Sequence, residues 1–339
     1  MRKLSIYILL LMAAGCLACC SDSNEKESGM LSSEGLIELR ADYPGLSVGT
    51  KAIAKEFQTT LFCVARSGDY TGLSERFSTP VTDITSDWQN AVFYEEWVER
   101  EATVATNGTI SWDAGRVHHY PRMGGNVYLV GLSPIAKDNS YDSDADTVAY
   151  TLDGHMDLMY SGPLVGNKWD GYRFSGNTDP TKDRSLAYKH LLTQLIFKAK
   201  KHEAGGLDVK VTKITVKNVP ATVSLPLATG EATFSGTSIV EHSISDATVK
   251  SAETPTDLGC LYLPPLPKAG DAKITIETSI GTFSDVSVTM SGTKPEDNFQ
   301  AGVSHEITLD IHDKALGISS VEVSEWNSTY VDGSLDLID

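Results

Sequence analysis

The feature that most constrains the fold of this chain is a succession of short segments in which apolar and polar residues alternate. Val209 and Val211 face one way, and Ile214 and Val216 then shift register, which indicates a β-bulge. The same period of two recurs at Ile274–Ile276, Val286–Met290, Ile307–Ile311 and Val321–Val323. Turn-forming strings such as NVP, LPPLPKAGD and SGTKPED separate these segments. The pattern predicts an all-β fold with sandwich architecture.

The first half of the chain carries the same signal less regularly. Ile37 and Leu39 alternate with charged residues in GLIELRADY, and LFCV at 61–64 and VYLV at 127–130 are short apolar runs typical of a sandwich core. One segment, SLAYKHLLTQLIFKAKKHE, places apolar residues at helical spacing: Tyr188, Leu192, Leu195 and Ala199. It predicts either a helix or a short turn that runs into a strand at LIFKA. The fold class is therefore all-β with few short helices.

The amino terminus reads as an export signal. Arg2 and Lys3 precede an apolar stretch that ends in small residues and three cysteines, which is typical of a bacterial lipoprotein leader. Cys20 is the predicted lipidation site, and Cys16 and Cys19 are the alternatives. We therefore expect a signal peptide at 1–19 and a flexible polar spacer at 20–33. A chain of 339 residues suits two domains, and GNTDPTKDR at 176–184 is the linker that divides them into 34–180 and 181–339.

Charge and cysteine content narrow the function. The net charge of −17 disfavours nucleic acid and anionic lipid surfaces as partners. Beyond the three candidates for lipidation only Cys63 and Cys260 remain, for which two buried unpaired thiols are favoured over one disulfide. No nucleophile elbow, P-loop or dinucleotide fingerprint is present in the sequence. The sequence predicts that the protein is not an enzyme and uses no cofactor.

The metal signals in the sequence are weak. His202-Glu203 and His305-Glu306 begin like zinc-protease motifs but have no second histidine at the required spacing. Asp142, Asp144 and Asp146 match the first ligands of a calcium loop, whose remaining positions do not fit, and a solvated acidic loop is favoured. His118-His119 is an adjacent pair whose side chains point apart on an extended chain. We therefore expect no metal, with the three aspartates as the weak candidate.

The last thirteen residues, 327–339, have a pattern of their own. Val331, Leu335 and Leu337 all fall on odd positions, so an extended segment would place them on one face. Such a segment is either a frayed tail, a final edge strand of its own sheet, or a strand offered to another molecule in β-augmentation.

The sequence resembles the fimbrillin family, the lipoprotein-derived fimbrial subunits of Gram-negative anaerobes. The resemblance rests on GRVHHYPRMGGNVYLVGLSP, HMDLMYSG, SLAYKHLLTQLIFKAK, FQAGVSHEITLDI and GISSVEVSEWN, in this order after a lipoprotein leader. It implies two tandem transthyretin-like β-sandwich domains. It also implies that a surface protease removes the first strand after a basic residue and that the carboxyl-terminal strand of the next subunit fills the groove. The positional match for this cut is Lys51-Ala52, and Arg40-Ala41 is the alternative.

The predicted function is a structural subunit, or a tip or anchor component, of surface fimbriae (pili) that supports adhesion. Its expected partners are other fimbrial subunits, the outer membrane through the lipid anchor, and a receptor on a host or bacterial surface. The expected location is the fimbrium and the exposed face of the cell outer membrane. The alternative is a monomeric surface lipoprotein that binds glycans on an aromatic platform, built from four tryptophans: Trp88, Trp97, Trp112 and Trp169.

Overall fold

The computed structural model describes residues 35–42, 55–66, 93–120, 126–137, 140–142, 147–288, 298–312 and 316–325. Within these ranges it contains twenty β-strands and two single-turn 3₁₀-helices, Pro180–Lys182 and Ala269–Asp271. No helix in the described part of the chain has the length and apolar character needed to cross a membrane. The prediction of an all-β fold with few short helices is confirmed.

The strands are numbered in chain order. The first ten are β1 Leu39–Asp42, β2 Phe57–Arg66, β3 Phe93–Val104, β4 Thr109–Ser111, β5 Val127–Ser133, β6 Tyr141–Asp142, β7 Thr147–Thr151, β8 Met159–Gly166, β9 Leu186–Ala187 and β10 Lys189–His190. The others are β11 Thr193–Lys201, β12 Val209–Val219, β13 Thr222–Pro226, β14 Thr233–Ser235, β15 Ser238–Val249, β16 Thr256–Leu263, β17 Lys273–Thr278, β18 Gly281–Ser287, β19 Val303–Ile311 and β20 Leu316–Glu325.

The second half of the chain forms a sandwich of two four-stranded sheets. One sheet has the order β16-β11-β19-β20 and the other β15-β12-β17-β18. Their inner faces share one core, to which the alternating apolar residues of β12, β17 and β19 contribute. Each strand has one covered face, which accounts for the period of two in the sequence. The predicted bulge is confirmed, because the register of β12 shifts between Val211 and Lys213.

The first half is built around an eight-stranded sheet with the order β10-β8-β5-β2-β3-β4-β1-β9. A second sheet, β14-β13-β7-β6, packs on its outer face. The central strands β2 and β5 are therefore buried on both sides: Leu61 and Cys63 face one core while Phe62 faces the other. Burial on both faces explains why LFCV and VYLV are continuous apolar runs rather than alternating ones.

The eight-stranded sheet closes on itself. β9 pairs in parallel with β1, and β10 pairs antiparallel with β8, and a single residue, Tyr188, separates β9 from β10. The segment 186–190 thus joins the two edges of the sheet into a ring. We call the cluster of buried side chains inside this ring, which includes Leu61, Leu129 and Tyr188, the inner core.

The helical alternative for SLAYKHLLTQLIFKAKKHE is wrong, and the strand alternative is confirmed. The segment forms β9, β10 and β11, and β11 pairs in parallel with β19 and antiparallel with β16. Leu195, Phe197 and Ala199 point into the sandwich core with a period of two that overlaps the helical spacing. Pairing on both sides of β11 outweighs the local helical pattern.

The division at residue 180 stays a prediction. The linker 176–184 contains the first 3₁₀-helix, as its turn residues indicate. The hairpin β13–β14, which lies after residue 180, pairs with β7 and packs on the first half of the chain. Strands from both sides of residue 180 therefore share one sheet.

Candidate functional site

Strand β1 occupies a slot in the ring between two strands that are distant in sequence. It pairs antiparallel with β4, with Leu39 opposite Ile110, and in parallel with β9, with Ala41 opposite Leu186. A four-residue strand that is paired on both sides completes the ring between β4 and β9. We call this position the β1 slot.

The inward side chains of this segment are fully covered. Ile37 and Leu39 are each 2% exposed, and Ala41 is 5% exposed. They pack into the inner core, whose other members include Leu61, Ala102, Val104, Ile110, Tyr120, Leu129, Met159, Phe174, Leu186 and Tyr188. Burying an isoleucine or leucine side chain is worth about 1.5–3 kcal/mol, so these contacts hold β1 firmly. The alternation predicted in GLIELRADY is confirmed.

Backbone hydrogen bonds extend the slot beyond the regular strand. The Ile37 N–H donates to the His118 carbonyl oxygen (2.9 Å), and the Tyr120 N–H donates to the Gly35 carbonyl oxygen (2.8 Å). At the other end the Ala41 N–H donates to the carbonyl oxygen of Gly108 (2.8 Å). If β1 left the slot, the backbone groups of His118, Tyr120 and Gly108 would lose these hydrogen bonds, which costs free energy. Another strand that bound in the slot would restore the bonds.

A polar and aromatic cluster supports the loop beside β1. The carboxylate of Glu99 on β3, which is 3% exposed, accepts hydrogen bonds from the Arg116 guanidinium (2.9 Å) and pairs with His118 Nε2 (2.5 Å). The His118 ring stacks on Trp97 with centroids 3.8 Å apart, and the Trp112 indole N–H donates to the Arg116 carbonyl oxygen (3.0 Å). The cluster fixes the loop 112–118, in which the His118 carbonyl oxygen accepts the hydrogen bond from the Ile37 N–H. A pocket of about 620 Å³ lies between this loop and β1.

Tyr188 anchors the segment that contains β9, the strand on one side of the β1 slot. Its hydroxyl hydrogen-bonds with the Thr59 hydroxyl (2.8 Å), which itself donates to the Leu132 carbonyl oxygen (2.7 Å). A Cβ on Gly131 would lie 2.2 Å from the Tyr188 hydroxyl oxygen, so this position requires glycine. The Tyr188 N–H donates to the Asp42 carbonyl oxygen (3.0 Å), which links this anchor directly to β1.

The structure places one of the two predicted processing sites. Arg40 and Ala41 lie within β1, where the exposed Arg40 is paired with Thr109 on β4. Lys51 and Ala52 lie outside the described residues, between β1 and β2. The three lipidation candidates (Cys16, Cys19 and Cys20) and the three donor-strand residues (Val331, Leu335 and Leu337) also lie outside them.

The remaining sequence candidates are scattered over the molecule. Asp142 is exposed on β6, while Asp144 and Asp146 lie outside the described residues, as does Trp88. Trp97 and Trp112 come together, with ring centroids 6.3 Å apart, and Trp169 lies elsewhere beside Lys168. No disulfide joins Cys63 and Cys260, and the predicted burial holds for Cys63, whereas Cys260 is half-buried.

Sequence reasoning missed the residues that hold the slot. The sequence marks His118 only as a possible metal ligand, whereas in the structure it stacks on Trp97 and binds Glu99. The sequence places Tyr188 in a helical pattern, whereas in the structure it anchors the closing segment. A carboxylate on the buried face of a strand needs partners, but nothing in the charged stretch EEWVERE sets the buried Glu99 apart from the exposed Arg100 and Glu101.

The architecture defines an all-β protein of packed sandwiches in which a short strand, β1, completes a ring of strands. A fimbrillin-like family model matches residues 81–326, and the chain belongs to this family. Membership confirms the resemblance found in the sequence, and it gives the chain a fimbrial or adhesion role at the cell surface in a family that is generally non-enzymatic. A search of the curated proteins found no match to the sequence.

Several solved structures share the fold. A candidate cell adhesion protein from Bacteroides ovatus is 15% identical, with a TM-score of 0.56 over 86% of this chain and 97% of that chain. A candidate cell adhesion protein from Bacteroides uniformis is 16% identical, with a TM-score of 0.52 over 87% of this chain and 99% of that one. A fimbrial protein from Bacteroides vulgatus is 14% identical, with a TM-score of 0.51 over 86% and 99% of the two chains.

Proposed function

We propose that this protein is a structural subunit, or a tip or anchor component, of surface fimbriae that assembles by strand exchange and supports adhesion. The observation that carries the proposal is the β1 slot: one four-residue strand lies between β4 and β9 and completes the ring. A ring that loses this strand exposes unpaired backbone groups and an apolar groove. A strand from another subunit would pair with these backbone groups and fill the groove with its apolar side chains.

The proposed donor is the segment 327–339. It follows β20, which is the edge strand of its sheet and ends at Glu325. Its apolar residues Val331, Leu335 and Leu337 are spaced to present one face, as Ile37, Leu39 and Ala41 do in β1. Because each subunit gives one strand and accepts another, the contact is heterologous and extends into a polymer.

The pairing of β1 supports Lys51-Ala52 over Arg40-Ala41 as the processing site. The Ala41 N–H is bonded to Gly108 and Arg40 is paired with Thr109, so a protease would have to pull the strand out of the sheet to reach this bond. A cut after Lys51 lies beyond the end of β1 and would release the whole strand. Until then, lipid on Cys20 and the spacer 20–33 would hold the subunit at the outer membrane.

The test uses one kind of protein at a time, so that the open slot and the donor strand are on the same copies. Each protein is cut after Lys51, and the filaments that it forms are counted by electron microscopy. The paired variants Leu335→Asp and Ser334→Asp place the same charge on opposite faces of the donor. We expect Leu335→Asp and deletion of 327–339 to abolish filaments and Ser334→Asp to leave them intact. Filaments from the deletion variant would refute strand exchange.

The glycan-binding alternative gains no support from Trp97 and Trp112. Trp97 and Trp112 are half-buried against the inner core, and His118 covers one face of Trp97. A sugar platform needs an accessible ring face. These two side chains instead support the wall of the β1 slot.

A further inference from the structure

A second cluster of functional side chains lies at the end of two parallel strands in the other half of the molecule. β11 and β19 pair in parallel, with Lys200 opposite Asp310 and Lys201 opposite Ile311. The chain continues from β11 into His202 and from β19 into His312. The His202 N–H donates to the Ile311 carbonyl oxygen (3.0 Å), which keeps the two strand ends together.

The side chains of His202, Asp310 and His312 converge there. His202 Nδ1 lies 3.0 Å from Asp310 Oδ2, and His312 Nε2 lies 4.0 Å from the same oxygen. The two imidazole rings stack with centroids 3.7 Å apart. One ligand atom from each of the three residues lies within 4.8 Å of the others.

The Asp310 carboxylate has one oxygen without a hydrogen-bond partner among the described residues. The Asp310 side chain is 17% exposed, and this oxygen, Oδ1, is buried. Lys200, which is opposite Asp310 in the sheet, forms no salt bridge with it in the described part of the chain. The ammonium of the next residue, Lys201, is directed to the Asp208 carboxylate (2.8 Å) and the Gly206 carbonyl oxygen (2.6 Å). A carboxylate with one buried oxygen that lacks a donor is costly, and a cation bound at its other oxygen, Oδ2, would offset the negative charge of the group.

We propose that His202, Asp310 and His312 bind a divalent transition metal ion, and that this ion is zinc. Two imidazoles and one carboxylate form a donor set that zinc accepts, whereas calcium and magnesium prefer oxygen ligands alone. A pocket of about 400 Å³, lined by both histidines, Glu203 and Leu207, opens beside the cluster. It gives the ion a route in and leaves room for water as the fourth ligand.

The geometry is close to what zinc requires. Ligand atoms about 2 Å from a tetrahedral ion lie about 3.3 Å from one another. The His202–Asp310 distance of 3.0 Å is close to this value, and the His312 ring must move by about 1 Å and turn out of its stack on His202 to bring in the third ligand. His202 is 46% exposed and His312 35% exposed, so neither ring is locked by packing.

The proposed ion would join parts of the chain that only tertiary pairing brings together. His202 and Asp310 are 108 positions apart in sequence, and zinc would tie the ends of the two central strands of their sheet. A metal that binds only the folded chain stabilises it by mass action. The site is independent of the β1 slot, so its test does not depend on strand exchange.

The test is isothermal titration of metal-free full chain, without its leader, with zinc chloride. We expect one zinc per chain, and His202→Ala, His312→Ala and Asp310→Asn each to weaken binding at least about tenfold. His119→Ala, an exposed histidine in the other half, is the matched control and should bind as the unaltered protein does. Magnesium and calcium should give no binding at the same site.

X-ray absorption of the zinc-loaded unaltered protein gives a second measurement that needs no variant. We expect nitrogen and oxygen scatterers at about 2.0–2.1 Å with the outer-shell signature of two imidazoles. Absence of stoichiometric zinc binding, a spectrum without imidazole, or equal affinity in His312→Ala and the unaltered protein would overturn the proposal.

Discussion

His305 makes the stability of the second sandwich depend on pH. Its side chain on β19 is 1% exposed, and neither ring nitrogen has a hydrogen-bond partner among the described residues. It packs against Phe299, with ring centroids 5.0 Å apart, and is paired with Leu195 on β11 and Val323 on β20, none of which titrates. Burial lowers the pKa of His305 from 6.5 to about 4.

The sign and size of the effect follow from this pKa. Between pH 6.5 and 4 the unfolded chain binds a proton at His305 that the folded chain does not, so stability is present above this window and is lost as the pH falls through it. A shift of one pKa unit corresponds to about 1.4 kcal/mol. Lowering the pH from about 7 to about 4.5 should therefore remove about 2 kcal/mol through this residue alone.

The perturbation is His305→Leu, which keeps the apolar contacts and removes the titrating ring. Urea unfolding at both pH values gives the free energy of unfolding of each protein. We expect the difference between unaltered protein and variant to change by about 2 kcal/mol, with the variant less sensitive to acid. His119→Leu, which removes an exposed histidine, should retain the full sensitivity. Parallel pH dependences of the unaltered protein and His305→Leu would refute the assignment.

Three further substitutions test the ring and its slot, two by urea unfolding and one by hydrogen exchange. Tyr188→Phe removes the hydrogen bond to Thr59 and should cost about 1 kcal/mol, and an unchanged midpoint would contradict this anchor. Gly131→Ala places a Cβ 2.2 Å from the Tyr188 hydroxyl oxygen and should cost about 1–3 kcal/mol, a prediction that fails if Gly131→Ala is as stable as the parent. Gly108→Ala puts a Cβ 2.7 Å from the Ala41 carbonyl oxygen at a φ of +81°, so it should speed exchange of the β1 amides in hydrogen-exchange mass spectrometry, which unchanged rates would disprove.

The fold class could be predicted from the sequence because alternation reports which faces of a strand are covered. The period of two at Ile307, Leu309 and Ile311 reflects one buried face, and all three side chains are buried in the sandwich core. The bulge in β12 was predictable for the same reason, since an extra residue shifts the phase of the pattern. These signals are local and need no knowledge of which strands pair.

The pairing of strands could not be predicted in this way. Nothing in the sequence near residue 188 shows that five residues close a ring by pairing with β1 on one side and β8 on the other. Likewise, His202 has no second histidine nearby, because its neighbour His312 arrives through the parallel pairing of β11 and β19. Contacts between distant segments depend on topology, which single-sequence patterns do not encode.

The proposed exchange requires the slot to persist after β1 leaves, and the ring is built in a way that supports this. One wall, β4, is held by β3 and by the cluster around Glu99. The other wall, β9, is continuous with the closing segment that Tyr188 fastens to Thr59. Because β1 runs antiparallel to β4 and parallel to β9, an incoming strand must run in the direction of β1 to restore both pairings. The slot thus selects the polarity of its donor, and a fixed polarity gives a fibre in which every subunit has the same orientation.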